Sequence, residues 1–122
     1  LENLRKGAKA NLSLFRCEPR ALPFQVSLLE RHRHSTQVFL PVLGARFVVV
    51  VAAGGERPDL GSVRAFLVDG VAGVSYRAGV WHHPMIALDR VTDFTCFVFE
   101  DGSAEDCEEF PLEEPFLLEF PV

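Results

Sequence analysis

Short apolar stretches rich in Val, Phe and Leu alternate along this chain with Gly, Pro and Asp residues that favour turns. Very little of the sequence has the period of an amphipathic helix, so the pattern predicts an all-β protein with at most short helices at the termini. The predicted strands are Leu12 to Arg16, Phe24 to Glu30, Thr36 to Pro41, Arg46 to Ala52, Val63 to Asp69, Gly73 to Tyr76, Met85 to Leu88, Asp93 to Phe99 and Cys107 to Pro111. Strands this short and numerous must close into a barrel or stack as two sheets.

Two of these segments differ in their polarity pattern. The run from Val48 to Val51 is continuously apolar, which is typical of a strand covered on both faces. The segment from Val74 to Arg77 alternates instead, which predicts that one of its faces lines a cavity.

The two ends of the chain lead to different expectations. Residues Leu1 to Ala10 are basic and compatible with a helix, so we predict a short helix or a frayed terminus there, with no chemistry. The acidic tail from Glu113 to Val122 is too apolar to be free, and we expect it to pack on the barrel or on a second subunit. Its apolar side chains include Phe116, Leu117, Leu118 and Phe120.

Composition narrows the class of protein. The 122 residues are 48% hydrophobic, which suits one domain spanning 1–122. The formal charge of -5 argues against a nucleic-acid partner. The longest apolar run, Phe47 to Ala53, is too short to cross a membrane, and no leader opens the sequence. We therefore expect a soluble protein that is intracellular and cytoplasmic.

The cysteines predict no disulfide framework. There are three, Cys17, Cys96 and Cys107, and none has the C-x-x-C spacing of a zinc or thioredoxin-like site. Cys96 lies inside a predicted strand, and we interpret it as a small core residue.

All four histidines fall into two short clusters, and these are the strongest candidates for chemistry. His32 and His34 alternate, so a strand would place both on one face, and His82 follows Gly79 in a G-x-x-H pattern. The two motifs resemble those of cupin-type barrels, where such side chains converge inside the barrel. Gln37 stands roughly where a carboxylate ligand is expected. A metal set of His32, His34, Gln37 and His82 could therefore hold one divalent transition metal, or none, because a neutral Gln is a poor ligand.

His32 and His82 are the preferred catalytic candidates, because imidazole titrates near neutral pH and suits proton transfer. For His34 and His83 we favour a structural role. Glu30 could be a base, a ligand or the partner of Arg31, and the sequence leaves these roles open.

Four other residues are candidates for contacts with a substrate. Tyr76 could hold a substrate oxygen, although a lone tyrosine is often part of the core. Trp81 is interpreted as a wall of the pocket. Arg64 and Arg77 could bind an anionic substrate, because guanidinium matches a carboxylate, and simple solvation is the alternative for both.

Several blocks, in order and at near-constant spacing, resemble one family, the ureidoglycolate lyases, which are cupin-fold enzymes of the allantoin branch of purine breakdown. The resemblance covers about Ala10 to Glu109. Its blocks are Leu29-Glu30-Arg31-His32, Thr36-Gln37-Val38-Phe39-Leu40-Pro41, Val48-Val49-Val50-Val51-Ala52, Arg57-Pro58-Asp59-Leu60, Val63-Arg64-Ala65-Phe66-Leu67, Gly73-Val74-Ser75-Tyr76-Arg77, Val80-Trp81-His82-His83-Pro84 and Val91-Thr92-Asp93-Phe94.

The chain also departs from the family pattern. Members usually carry a further stretch before the part seen here, so the resemblance predicts a missing N-terminal segment. Arg33 stands where the family generally has proline, which could perturb the mouth of the pocket. The segment from Phe97 to Glu105 is longer than in bacterial members and resembles fungal relatives.

The resemblance implies a cupin-type barrel, or double-stranded β-helix, that acts as a carbon–nitrogen lyase on ureidoglycolate, releasing urea and leaving glyoxylate. In this hypothesis His32 and His82 divide the proton transfers with Glu30 nearby, Gln37 and Tyr76 orient polar groups, and Arg64 or Arg77 meets the substrate carboxylate. The family also points to a homodimer. The alternatives are a metal-dependent cupin enzyme of other specificity and a non-catalytic module for small-acid binding or dimerisation.

Overall fold

The computed structural model of the chain describes residues 1–120 and contains ten β-strands, with short 3-10 turns at Leu60–Ser62 and Ala104–Asp106. The strands are β1 (Lys9–Cys17), β2 (Phe24–Arg31), β3 (Gln37–Pro41), β4 (Phe47–Ala52), β5 (Arg64–Val68), β6 (Val74–Tyr76), β7 (Trp81–His82), β8 (Ile86–Ala87), β9 (Thr92–Glu100) and β10 (Glu108–Leu118). The all-β prediction is confirmed, and each of the nine predicted strands overlaps an observed one. The two-residue strand β7 was not predicted, because its length is below any periodic signal.

The strands form two antiparallel sheets. The first sheet has the order β1-β9-β3-β6, and the second has the order β10-β2-β7-β4-β5, with β8 pairing to β4. β7 lies between β2 and β4, so the second sheet carries β2 and β7 side by side in its middle.

Two hydrophobic cores cover opposite faces of the second sheet. One core includes Phe47, Val49 and the inward side chains of the first sheet, such as Phe94. The other includes Val48, Val50 and the partly buried aromatic residues of β10. The prediction that this apolar run is covered on both faces is therefore confirmed.

The C-terminal tail packs on the barrel, which confirms the first of the two packing modes expected for it. Strand β10 continues to Leu118, with a register shift between Pro111 and Phe116. Phe116, Leu118 and Phe120 contribute to the core on the outer face of the second sheet, whereas Leu117 is 67% exposed. Pro121 and Val122 lie outside the described residues.

The prediction for the N-terminal segment is wrong. Residues 1–8 contain no helix: Asn3 bridges to Ser35, and a turn at Lys6 and Gly7 leads into β1. The Leu4 amide donates to the His34 carbonyl at 2.9 Å, and the Thr36 amide donates to the Glu2 carbonyl at 3.1 Å. Long-range backbone pairing overrides the local preference for a helix that the composition suggests.

No helix in residues 1–120 is long and apolar enough to cross a membrane.

Candidate active site

Three side chains with ligating atoms converge between the sheets. Glu30 lies on β2, His32 follows two residues later, and His82 on β7 is the cross-strand partner of Glu30. One ligand atom from each lies within 4.8 Å of the others. The His82 Nε2 and Glu30 Oε1 atoms are 3.7 Å apart, and the two imidazole ring centroids are 5.5 Å apart. The fold therefore brings the two histidine clusters together through His32 and His82.

A turn at Gly79 positions His82 beside Glu30 and His32. Gly79 has a φ of 85°, in the left-handed region that favours glycine, and its amide donates to the His32 carbonyl at 2.9 Å. This bond ties the entry to β7 to the end of β2. The G-x-x-H spacing thus has a direct structural reason.

Gln37 and Tyr76 form the wall behind the histidines. They are cross-strand partners on β3 and β6. The Tyr76 ring stacks on the His82 ring, with centroids 3.9 Å apart and an interplanar angle of 9°. The Gln37 Nε2 atom lies 3.5 Å from Cys96 Sγ. The Gln37 Oε1 atom has no hydrogen-bond partner. Cys96 is buried, as predicted.

A cavity of about 260 Å³ borders this group. Glu30, His32 and Gln37 form its polar wall, and Phe15, Phe39 and Met85 contribute apolar surface. This size and mixed lining suit a small polar organic molecule.

Four buried polar atoms around the cavity have no hydrogen-bond partner: His32 Nε2, His82 Nε2, Gln37 Oε1 and Tyr76 OH. A buried polar atom without a partner costs about 1–3 kcal/mol, so such atoms are normally paired. These atoms lie close to the three potential ligands, so the site offers unused hydrogen-bonding and ligating capacity.

The two histidines share one tautomer. His32 Nδ1 lies 2.9 Å from the Asp106 carbonyl oxygen, and His82 Nδ1 lies 3.0 Å from the Val80 carbonyl oxygen. A carbonyl can only accept, so each Nδ1 carries the hydrogen when the ring is neutral. Both Nε2 lone pairs are therefore free to accept a proton or bind a metal.

Burial sets the charge of the site. It lowers the pKa of His82 to about 3, so this imidazole is neutral near pH 7 and its contact with Glu30 is not an ion pair. Burial also raises the pKa of Glu30, opposed by the nearby His32, and raises the pKa of Tyr76. The pKa of the Cys107 thiol rises to about 12 through burial and the charge of Glu30, so the thiol keeps its hydrogen.

This pKa pattern predicts acid sensitivity of the metal-free protein. His82 has a folded-state pKa of about 3, below the value of about 6.5 for unfolded chains, so protons favour unfolding between these values. Relative to a His82→Gln variant, wild-type protein should lose about 2 kcal/mol of unfolding free energy between pH 6.5 and pH 5. Urea denaturation at both pH values, with a chelator present, measures this difference. Equal losses in the two proteins would contradict the buried neutral state.

The structure does not bring four other predicted residues into the cavity. Trp81 points to the opposite face of its strand, where its Nε1 donates to the Gly55 carbonyl at 3.0 Å. Arg64 is exposed on the edge strand β5 and donates to the Val63 carbonyl. Arg77 is exposed and lines a separate open cleft between β5 and β6. His34 faces Glu105, with its Nε2 3.1 Å from the carboxylate.

Arg33, which stands where the family generally has proline, forms ion pairs with nearby acidic residues of this chain. Arg33 Nη2 lies 2.9 Å from Glu56, and Arg33 Nε lies 2.7 Å from Glu108. These acidic residues also contact the buried Arg31. Arg33 therefore joins a network of charges rather than occupying the cavity.

Two contributors were missed by the sequence analysis. The Cys107 thiol lies 3.5 Å from Glu30 Oε2, and the Asp106 backbone carbonyl holds His32. A backbone carbonyl leaves no signal in side-chain identity, and Cys107 lies far from Glu30 in sequence.

Solved structures with a similar fold define the class. The capsular polysaccharide assembling protein CapF from Staphylococcus aureus has a TM-score of 0.59 and 17% identity, with 81% of this chain and 26% of that chain covered. CapF in a second crystal form has a TM-score of 0.58 and 17% identity, with 88% of this chain and 33% of that chain covered. The protein is a cupin-type β-barrel whose facing sheets enclose a small cavity with a mixed polar and apolar lining.

A family model described as ureidoglycolate lyase matches residues 1–119. The ureidoglycolate lyase of Burkholderia cepacia is 47% identical over 116 residues, covering 93% of this chain and 64% of that protein. The ureidoglycolate lyase of Escherichia coli (strain K12 / DH10B) is 45% identical over 97 residues, covering 80% of this chain and 59% of that protein. The chain belongs to the ureidoglycolate lyase family, and it spans less than two thirds of the length of these relatives.

Proposed function

We propose that this chain carries the active site of a ureidoglycolate lyase, which releases urea from ureidoglycolate and leaves glyoxylate in the allantoin branch of purine degradation. The observation that carries this proposal is the cluster of Glu30, His32 and His82, with both imidazole Nε2 atoms free and with Glu30 and His32 lining the cavity. Membership of the family supports the substrate.

The residues can supply the proton transfers that this elimination needs. The substrate hydroxyl loses its proton as the C=O bond forms, the C–N bond breaks, and the departing urea nitrogen gains a proton. Neutral His82, with a free Nε2 lone pair, accepts the hydroxyl proton. That proton can pass by way of Glu30 to the free Nε2 atom of His32, and His32 then gives it to the departing nitrogen, so that both imidazoles end neutral. Gln37 Oε1 and Tyr76 OH orient the ureido group.

The substrate carboxylate needs a positive contact, and neither arginine predicted for this role lies in the cavity. We propose that Glu30, His32 and His82 can bind one divalent transition metal, in place of the predicted set with His34 and Gln37. Two imidazole nitrogens and a carboxylate form a set that such metals accept. Bound there, a metal would polarise the hydroxyl and carboxylate oxygens and lower the hydroxyl pKa. His82 Nε2 would then be a ligand rather than the proton acceptor.

The decisive experiment incubates the purified protein with ureidoglycolate and measures glyoxylate and urea together. We expect the two products in equal amounts. Formation of ammonia and carbon dioxide in place of urea would show hydrolysis. Absence of both glyoxylate and urea would indicate a non-catalytic binding module. Either result would overturn the lyase proposal.

Metal binding is tested after treatment with a chelator. We expect the wild-type protein to bind one equivalent of Ni²⁺, Mn²⁺ or Zn²⁺ by calorimetry, and a His32→Ala variant to lose this site, because the ring supplies one of three protein ligands. His34→Ala is the matched control, since this ring pairs with Glu105 outside the cavity. Equal metal binding by all three proteins would contradict the assignment.

We also propose that two copies associate through the outer face of the first sheet. Leu12 and Leu14 on β1 are 70% and 63% exposed, and the register places them beside Phe97 and Thr95 of β9. Leu40 on β3 extends this apolar strip across the sheet. A self-complementary strip of this kind suits an isologous dimer.

The dimer is tested by light scattering on the purified protein. We expect twice the mass of the chain for wild type, and the mass of a single chain for Leu12→Glu with Leu14→Glu, because charge in the strip opposes its burial. Leu43→Glu, an exposed position in the loop after β3, is the matched control and should stay dimeric. A monomeric wild type would overturn the proposal.

We further propose an intracellular, cytoplasmic location. Cys17, Cys96 and Cys107 all have free thiols. Free thiols suit a reducing compartment, where disulfides are rare.

A further inference from the structure

The turn of residues 101–107, between β9 and β10, is held together by one carboxylate. Asp106 accepts hydrogen bonds from the Asp101 amide at 3.0 Å and the Gly102 amide at 2.7 Å. Asp106 also accepts a 2.7 Å bond from Arg5 Nη2. The turn therefore has a fixed shape.

Arg5 locks this turn onto the barrel from the N-terminal segment. Its guanidinium contacts Asp106, lies 3.1 Å from Asp101 and reaches the Phe99 carbonyl at 3.3 Å. Its side chain is only 15% exposed. Two hydrogen bonds and an ion pair from one planar group restrict the turn more than a single contact would.

Two consecutive residues of the turn contact side chains of the His32, His82 and Glu30 cluster. The Asp106 carbonyl accepts from His32 Nδ1 at 2.9 Å, and the Cys107 thiol donates to Glu30 Oε2 at 3.5 Å. The turn thus fixes the tautomer of one histidine and the orientation of the carboxylate, which are two of the three converging groups.

We propose that residues 101–107, locked by Arg5, are the positioning element of the active site, with Arg5 and Cys107 as positioning residues. Without the Asp106 carbonyl, the His32 ring could carry its hydrogen on either nitrogen, and a hydrogen on Nε2 would remove the free lone pair. Partners that orient an active imidazole in this way are worth about 10–100-fold in affinity or activity. The kinetic part of this inference rests on the proposed function, but the structural part does not.

The structural part is tested by the tautomer of His32, read from long-range ¹H–¹⁵N spectra of ¹⁵N-labelled protein under metal-free conditions at pH 8. Wild type should show both His32 and His82 with the hydrogen on Nδ1. Arg5→Gln should move His32 toward the other tautomer and leave His82 unchanged, because the acceptor of His82 is Val80. Arg46→Gln is the matched control, since Arg46 forms a two-point contact with Asp89 on the surface. An unchanged His32 in folded Arg5→Gln would overturn the proposal.

The kinetic part is tested with Cys107. Cys107→Ala should lower kcat/KM about tenfold, whereas Cys107→Ser should restore most of the loss, because serine can still donate to Glu30. Equal activity of wild type, Cys107→Ala and Cys107→Ser would overturn the role of the thiol. If wild type converts no ureidoglycolate but Arg5→Gln still shifts the His32 tautomer, the proposed function fails and the positioning role stands.

Discussion

Turnover of ureidoglycolate is expected to fall about 10³-fold when His82 is replaced by glutamine. The reason is that, in the proposed mechanism, the neutral Nε2 lone pair of His82 either accepts the hydroxyl proton or binds a metal, and the glutamine amide does neither well. Glutamine has similar volume and polarity, so the stacked Tyr76 keeps a neighbour. The measurement is kcat from the initial rates of glyoxylate and urea release.

The matched control for this variant is His34→Gln, which removes an imidazole from the surface and should retain wild-type kcat. Unfolding curves of both variants establish that they are folded under the conditions of the assay. Full turnover by a folded His82→Gln protein would show that the reaction takes place elsewhere.

Replacement of Trp81 with alanine should destabilise the protein by about 3–5 kcal/mol. The indole is 1% exposed, and Arg31 lies over its ring with the guanidinium carbon 4.6 Å from the ring centroid. Removal of the ring leaves a void in the outer core and takes away one of the two donors to the Gly55 carbonyl, the other being Arg31 Nη1. Denaturant unfolding measures the loss, and kcat of the folded protein should remain far above that of His82→Gln.

Phe66→Ala provides the control for Trp81, because Phe66 is an aromatic residue on the same sheet that is 53% exposed. Its removal should cost much less than that of Trp81, since little of its surface is buried. A Trp81→Ala protein with wild-type stability and the turnover defect of His82→Gln would show that the indole belongs to the cavity after all.

The order of the strands along the chain could be predicted because the number of buried faces of a strand determines its pattern of apolar and polar residues. The run Val48 to Val51 is apolar at every position, and the structure places cores on both sides of β4. Strand β9 alternates between buried and partly exposed residues, as a strand with one covered face does. Both are local consequences of which face meets water.

The composition of the site was only partly predictable. The meeting of His32 and His82 followed from motif spacing, but Trp81 was grouped with its neighbour. Consecutive residues in a strand point to opposite faces, so Trp81 and His82 face different cores. Strand β7 is too short to show this alternation in sequence.

Long-range partners explain the remaining differences. Glu30 joins His32 and His82 in the three-residue group, because β2 pairs with β7 and places Glu30 opposite His82. The predicted helix at the N-terminus is replaced by pairing with residues 34–36. Neither pairing has a local signal, since each depends on residues far away in sequence.

The double covering of the second sheet has a consequence for how the site can respond to a ligand. Glu30 and His82 lie on β2 and β7, and β7 pairs with β4, whose two faces are covered by the two cores, so a shift of either backbone would disturb the packing around β4. Amide hydrogens of β4 and β7 should accordingly exchange with solvent only when the whole molecule opens. In the proposed mechanism, Glu30 and His82 are thus preorganised, and little reorganisation free energy opposes the chemical step.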